Sequence, residues 1–145
     1  MNILEINVLV LAYMGDTIYE DYIRKHLINK KISNVNDLQK EAINYVSAKR
    51  QAYFLEKLIE KDFLLQDEID VMKRARNNKS KSHPKNCDIL TYKYATALEA
   101  VIGYLYLEEK FERLDMIMEE ILKEEKKWEH MEKMLLMKFL VKQTF

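Results

Sequence analysis

Leu11-Ala12-Tyr13-Met14-Gly15-Asp16-Thr17-Ile18-Tyr19-Glu20 and Ala97-Leu98-Glu99-Ala100-Val101-Ile102-Gly103-Tyr104-Leu105-Tyr106-Leu107 hold the only two glycines of this 145-residue chain. Both stretches are otherwise largely apolar and helix-like. Gly15 directly precedes Asp16, and Gly103 stands one helical turn after Glu99. A glycine inside a helix costs roughly 1 kcal/mol against alanine. Backbone freedom or the close approach of another chain segment usually accounts for it. An acid on an apolar stretch is also costly unless it is paired or bound to a metal. The two coincidences together suggest one acidic site built from distant segments.

Two glycines and one proline leave few breakers, so the fold class is all-α. Apolar residues make up 48% of the chain and charged residues 33%, enough for one domain, residues 1–145, with a real hydrophobic core. Helices are expected from about Ile3 to Tyr13 and from about Asp16 to Asn29, with Gly15 as the turn between them. Ser33-Asn34-Val35-Asn36 offers N-caps for a long helix from about Asn36 to Lys61. Further helices are expected over Gln66–Arg76, Leu90–Glu108, and from Phe111 to about Lys133 or beyond, with a loop over Asn77–Asp88 around Pro84. The last helix carries an apolar stripe of Leu114, Ile117, Met118, Ile121 and Leu122, and its charges read as a solvated face. The tail to Phe145 is apolar enough to pack on a partner.

Cys87 is the only cysteine, which excludes an intramolecular disulfide and a multi-cysteine zinc site. No two of His26, His83 and His130 have zinc-ligand spacing, and two isolated glycines exclude a Gly-rich phosphate loop. The N-terminus lacks a basic leader and no apolar run reaches a membrane span, so the expected location is the cytoplasm, with no membrane partner. The net charge is zero, but its distribution is uneven. Lys73, Arg74, Arg76, Lys79, Lys81, Lys85 and Lys93 fall in a segment whose single acid is Asp88. That segment is a candidate phosphate-binding surface; a solvated basic loop is the plainer alternative.

Glu20 follows Asp16 by four residues and shares its face, and Thr96, Glu99 and Gly103 share another. If the two helices pack, their oxygens suit Mg²⁺ or Mn²⁺, which bind through one or two carboxylates plus substrate phosphate. Each acid taken alone reads rather as a helix N-terminal or surface carboxylate than as a ligand.

These motifs resemble the two signatures of the ribonuclease III catalytic domain: an apolar residue followed by Gly15-Asp16, and Glu99-Ala-Val-Ile-Gly103 with an apolar continuation. The chain is similar in particular to Mini-ribonuclease III, the short bacterial form. Tyr45–Ala52, Lys73–Ser80, and the stretch from Pro84-Lys-Asn through Thr91–Thr96 carry the likeness along nearly the whole chain. The resemblance implies a helical bundle that forms a homodimer and hydrolyses double-stranded RNA with Mg²⁺, for which Mn²⁺ substitutes. It implies 5′-phosphate products and a role in maturing the large-subunit (23S) ribosomal RNA precursor, with a ribosomal protein as a candidate helper. By the same resemblance Asp16 and Glu99 are the catalytic, metal-binding acids.

The long family members have acids at the positions of Leu9 and Ala12 and an aspartate at that of Thr96. Thr96 instead agrees with the short form. These departures point to one metal on Asp16 and Glu99, with Glu20 and Thr96 behind them. The chain has no room for a separate RNA-binding domain. The expected RNA contacts are therefore Arg74, Arg76, Asn77, Lys79, Lys81, Lys85, Lys49 and Arg50. A non-catalytic, ribosome-associated RNA-binding protein of the same fold is the alternative; two costly acids speak against it.

Overall fold

The computed structural model describes residues 2–80 and 82–144, and among them it is all-helical. After a single 3₁₀ turn at Ile3–Glu5 come α1 (Val8–Asn29), α2 (Val35–Val46), α3 (Ala48–Glu60), α4 (Gln66–Arg76), α5 (Ile89–Leu107) and α6 (Phe111–Thr144). The loop expected over Asn77–Asp88 separates α4 from α5.

Helix α5 is the axis of the bundle. It is apolar nearly all round, from Ala95 through Leu98, Val101 and Ile102 to Leu105, a pattern that requires burial on every side. Helices α1, α3, α4 and α6 pack around it. Asp88 starts it: its Oδ1 accepts the Thr91 amide at 2.9 Å, satisfying one of the free N–H groups of the first turn.

Two boundaries differ from the sequence reading. Gly15 is not a turn between two helices but the interior of one continuous α1, and no glycine has a positive φ. What Gly15 supplies is space. A Cβ placed there would lie 1.7 Å from the Glu99 carbonyl oxygen, and one placed on Gly103 would lie 1.9 Å from that of Leu11. Helices α1 and α5 therefore cross with their backbones in contact.

The helix expected over Asn36–Lys61 is broken at Ser47, whose backbone is extended (φ −63°, ψ 149°) and whose Oγ caps α3 by accepting the Arg50 amide at 3.3 Å. The side chain of Arg50 then turns back, and its Nε donates to the Asn44 carbonyl at the end of α2 at 2.8 Å. Caps of this kind inside a continuous apolar pattern are hard to see, because serine is also tolerated within helices.

The reading of the α6 charges as a solvated face needs correction at two positions. Glu124 and Glu125 are buried. Glu124 is ion-paired with Lys61, and Glu125 accepts from Tyr45 Oη at 2.9 Å and faces Arg50 at 3.7 Å. Lower down, Arg113 forks onto the fully buried Glu68 at 2.7 and 3.0 Å, fixing the start of α4 to α6. Beyond Trp128 the side chains of α6 through Thr144 are exposed, so the apolar tail is not buried against any of the described residues; Phe145 is outside them.

The C-terminal ends of α1, α3 and α5 are each followed by a left-handed residue, and none of these is glycine: Lys31 (φ 63°), Asp62 (φ 55°) and Glu109 (φ 58°). The chain places both of its glycines in helix interiors and leaves side chains where glycine is usually found.

Opposite predictions follow for the two kinds of position. Gly15→Ala and Gly103→Ala should each lower unfolding free energy by about 3 kcal/mol or more, or prevent folding, because backbone atoms cannot yield to the added methyl. Glu109→Gly should raise it by about 0.5–1 kcal/mol, the left-handed cost of about 1–2 kcal/mol less the entropy of a glycine. Urea titrations of the three variants measure both signs.

Candidate active site

The crossing places the acids. Asp16 follows Gly15 on α1, and Gly15 rests against the backbone of Glu99 on α5, so the two carboxyl groups are brought together by backbone contact. Asp16 is exposed, while Glu99 and Glu20 are half-buried. Burial, the charge of Asp16, a hydrogen bond with Asp16 and the charge of Glu20 all push the Glu99 carboxyl up to about 8. Among the described residues no cation offsets them: Arg24 answers Glu20 from one turn further along α1, at 3.4 Å, and is itself largely exposed. The result is a concentration of negative charge at the crossing that water and protons must relieve.

Among the described residues no group of three or more His, Cys, Asp and Glu side chains converges as a metal-ligand set. The site is a carboxylate pair rather than an acid cage. Leu9 and Ala12 stand on α1 where further acids would have completed a cage, the first partly exposed and the second buried. Thr96 is half-buried one turn before Glu99 and lines a surface groove with Lys93, Ser80 and Ser82.

Behind the acids lies a buried polar chain that the sequence reading missed. Tyr19 is fully buried, its hydroxyl pushed well above its usual value by burial and by the charge of Glu99. It donates to the Tyr45 carbonyl at 2.6 Å; Tyr45 in turn donates to Glu125, which Arg50 faces. The Arg50 guanidinium lies 4.3 Å from the centre of the Trp128 ring. The signal was present in α6: Glu125 continues the four-residue stripe of Ile117 and Ile121 at a position where an apolar residue belongs.

The expected RNA contacts divide accordingly. Lys49, Arg74, Asn77, Lys79 and Lys85 are exposed, and Arg76 is half-buried at the end of α4. Arg74 is partly committed, donating to the Ile6 carbonyl at 3.1 Å. Lys81 lies outside the described residues. Arg50 is corrected: it is buried, and its guanidinium is used between Asn44, Glu125 and Trp128, so it is not available to a phosphate.

The raised Glu99 value fixes the sign of a pH dependence. The folded chain holds a proton there that the unfolded chain, with an ordinary carboxyl, has released. Its favourable contribution is complete below about 4.5 and is lost as pH rises through about 8. Without divalent cations, stability should therefore decline between pH 5 and 9. Glu99→Gln should flatten that decline and be the more stable protein at pH 9, as thermal unfolding across this range will show.

Comparison with known proteins agrees with this architecture. The family model for the ribonuclease III domain matches residues 9–110, from the start of α1 to just past α5. A Mini-ribonuclease 3 of Brevibacillus brevis is 49% identical over 114 residues, covering 79% of this chain and 84% of the relative. The Mini-ribonuclease 3 of Staphylococcus aureus is 44% identical over 117 residues, covering 81% of this chain and 87% of the relative. A crystal structure of a Fusobacterium nucleatum protein superposes with a TM-score of 0.73 at 36% identity, over 83% of this chain and 95% of that one. With both glycine–acid motifs inside the matched region and their helices crossing as described, the chain belongs to the ribonuclease III domain family and is an endoribonuclease.

Proposed function

We propose that the chain cleaves double-stranded RNA with a divalent metal ion held by Asp16 and Glu99. The observation that carries this reading is the uncompensated carboxylate pair at the crossing. Burial and then the repulsion of Asp16 and Glu20 hold a proton on Glu99 at neutral pH, and a cation that displaces the proton neutralises the charge that both disfavour. The donors are hard oxygens, few in number and open to solvent on the Asp16 side, which suits Mg²⁺ or Mn²⁺ with much of its water shell retained. Such an ion supplies charge stabilisation at a phosphate oxygen and a more acidic water. Hydrolysis forms a bond from a water oxygen to phosphorus and breaks the bond to the 3′ oxygen, which takes up a proton; the products carry a 5′-phosphate and a 3′-hydroxyl.

Glu20 and Thr96 orient the pair from either side. Tyr19 holds the floor beneath Glu99 closed to water. Duplex RNA is read through phosphates and 2′-hydroxyls rather than base edges, and the exposed Arg74, Lys79 and Lys85 with Lys49 supply the cations for that. A homodimer gives one acid pair per strand. Val10 (54% exposed) and Tyr13 (82% exposed), one turn apart on α1, are apolar surface for a second copy to cover. With 44–49% identity to proteins named Mini-ribonuclease 3, maturation of the large-subunit (23S) ribosomal RNA precursor is the proposed task, in the cytoplasm and with a ribosomal protein as candidate helper. The whole of residues 1–145 acts as one catalytic domain in this reading.

Asp16→Asn and Glu99→Gln should each lower duplex-RNA cleavage by about 10³-fold or more while leaving the folded chain able to bind RNA. Glu20→Gln should cost about 10–100-fold. Single-turnover cleavage of a labelled duplex with Mg²⁺ and with EDTA measures all three; full activity of Asp16→Asn, or cleavage in EDTA, would remove the assignment. Neutralising Arg74, Arg76 and Lys79 together should weaken RNA binding and flatten its dependence on salt, read by titration at several salt concentrations.

A further inference from the structure

Close to the acid pair lies a surface groove of ≈ 240 Å³ whose lining includes Leu9 on α1, Asn78, Ser80 and Ser82 in the loop after α4, and Lys93 and Thr96 on α5. Lys93, Thr96 and Glu99 succeed one another at three-residue spacing along α5, and Leu9 stands two turns before Asp16 on the same face of α1. The groove thus opens roughly 5–10 Å along the helices from the two acids.

Its chemistry is the opposite of theirs. Lys93 is half-buried, and its Nζ donates to the Asn78 carbonyl at 2.9 Å. That partner is neutral, so the charge is not cancelled there, and an ammonium has three donors, of which this bond uses one. The same bond ties the loop to α5. Within the loop the Ser80 amide donates to Asn78 Oδ1 at 2.9 Å and the Ser82 amide to Ser80 Oγ at 3.4 Å. In these bonds Ser80 Oγ accepts, and among the described residues the hydroxyls of Ser80, Ser82 and Thr96 donate to no other group, while Leu9 gives the groove an apolar wall. Among the described residues the lining holds a cation with a neutral partner, several O–H groups and no acid, a recess that accepts an anion of phosphate size.

We propose that this groove seats a backbone phosphate of the bound RNA strand near the one being cut, with Lys93 as its anchor. The proposal rests on the duplex-RNA reading above and adds a binding site to it. The geometry joins the two halves of the machinery: the residue that pins the basic loop to α5 is the residue that takes the phosphate, so the strand is registered against Glu99 by the helix that carries Glu99.

The test uses the full chain and a short RNA duplex, with binding measured in EDTA across a salt series and cleavage measured with Mg²⁺. Lys93→Ala should raise Kd and KM about tenfold, with a much smaller change in kcat, and make the log–log salt slope shallower by about one. Lys93→Arg should recover most of the loss. Ser82→Phe, which fills the groove and leaves Lys93 in place, should raise Kd similarly and flatten the slope. Weaker binding by Lys93→Ala at an unchanged slope, with Ser82→Phe binding like the parent, would show Lys93 to be only a pin for the loop and overturn the phosphate seat. Parent-like binding by both variants would overturn it as well. A parent chain that shows these slopes but cuts no duplex would support the groove and reject the nuclease reading, so the two failures are separable.

Discussion

Where α1 and α5 cross, Gly15 and Gly103 let two helix backbones touch, and the rest of the molecule is arranged around that contact. The Glu99 carbonyl and the Leu11 carbonyl occupy the volumes that side chains at the two glycines would need. Interiors are packed as densely as organic crystals, so the contact sets the relative position of the helices to within a fraction of an ångström. Asp16 follows Gly15 directly and Glu99 stands one turn before Gly103, so the contact fixes the backbone from which both carboxyl groups project. An acid pair is self-repelling and would drift apart on a flexible scaffold. Here the repulsion is borne by a backbone contact rather than by the side chains themselves.

The cost of burying Glu99 beside other acids appears in its carboxyl, pushed up to about 8 by burial first and then by Asp16 and Glu20. Support comes from the side chains packed behind the acids. Tyr19, Tyr45, Glu125 and Arg50 form a buried chain from beneath Glu99 to the half-buried Trp128 in the middle of α6. The break between α2 and α3 belongs to this chain, because Arg50 satisfies the Asn44 carbonyl that the break leaves free. The family match ends at residue 110, before α6 begins, yet α6 supplies Glu125 to this support. The helix is therefore part of the scaffold behind the acids, at least as far as Trp128.

Much of this was legible in the chain itself. The scarcity of glycine and proline gave an all-helical fold, and helix α4 and the loop after it fell where Pro84 and the Asn/Ser cluster put them. The acid–glycine coincidences marked the two segments that meet. Three features were not legible. A glycine reads as a turn unless one knows that another backbone fills the space of its side chain, which is why α1 looked like two helices. Ser47 reads as an ordinary helical residue until its cap is seen. Arg50 and Glu125 read as surface charges because each is hidden by the other's segment, 75 residues away in sequence.

The sequence by itself determined the helical class, the basic segment and the two glycine–acid motifs, because composition, periodicity and a short motif are local properties. Only the tertiary structure decided that both glycines are packing positions, that Arg50 is a buried strut, and that Lys93 links the basic loop to the helix of Glu99. These are decided by which distant atoms compete for the same volume or share the same proton, and no local pattern records that.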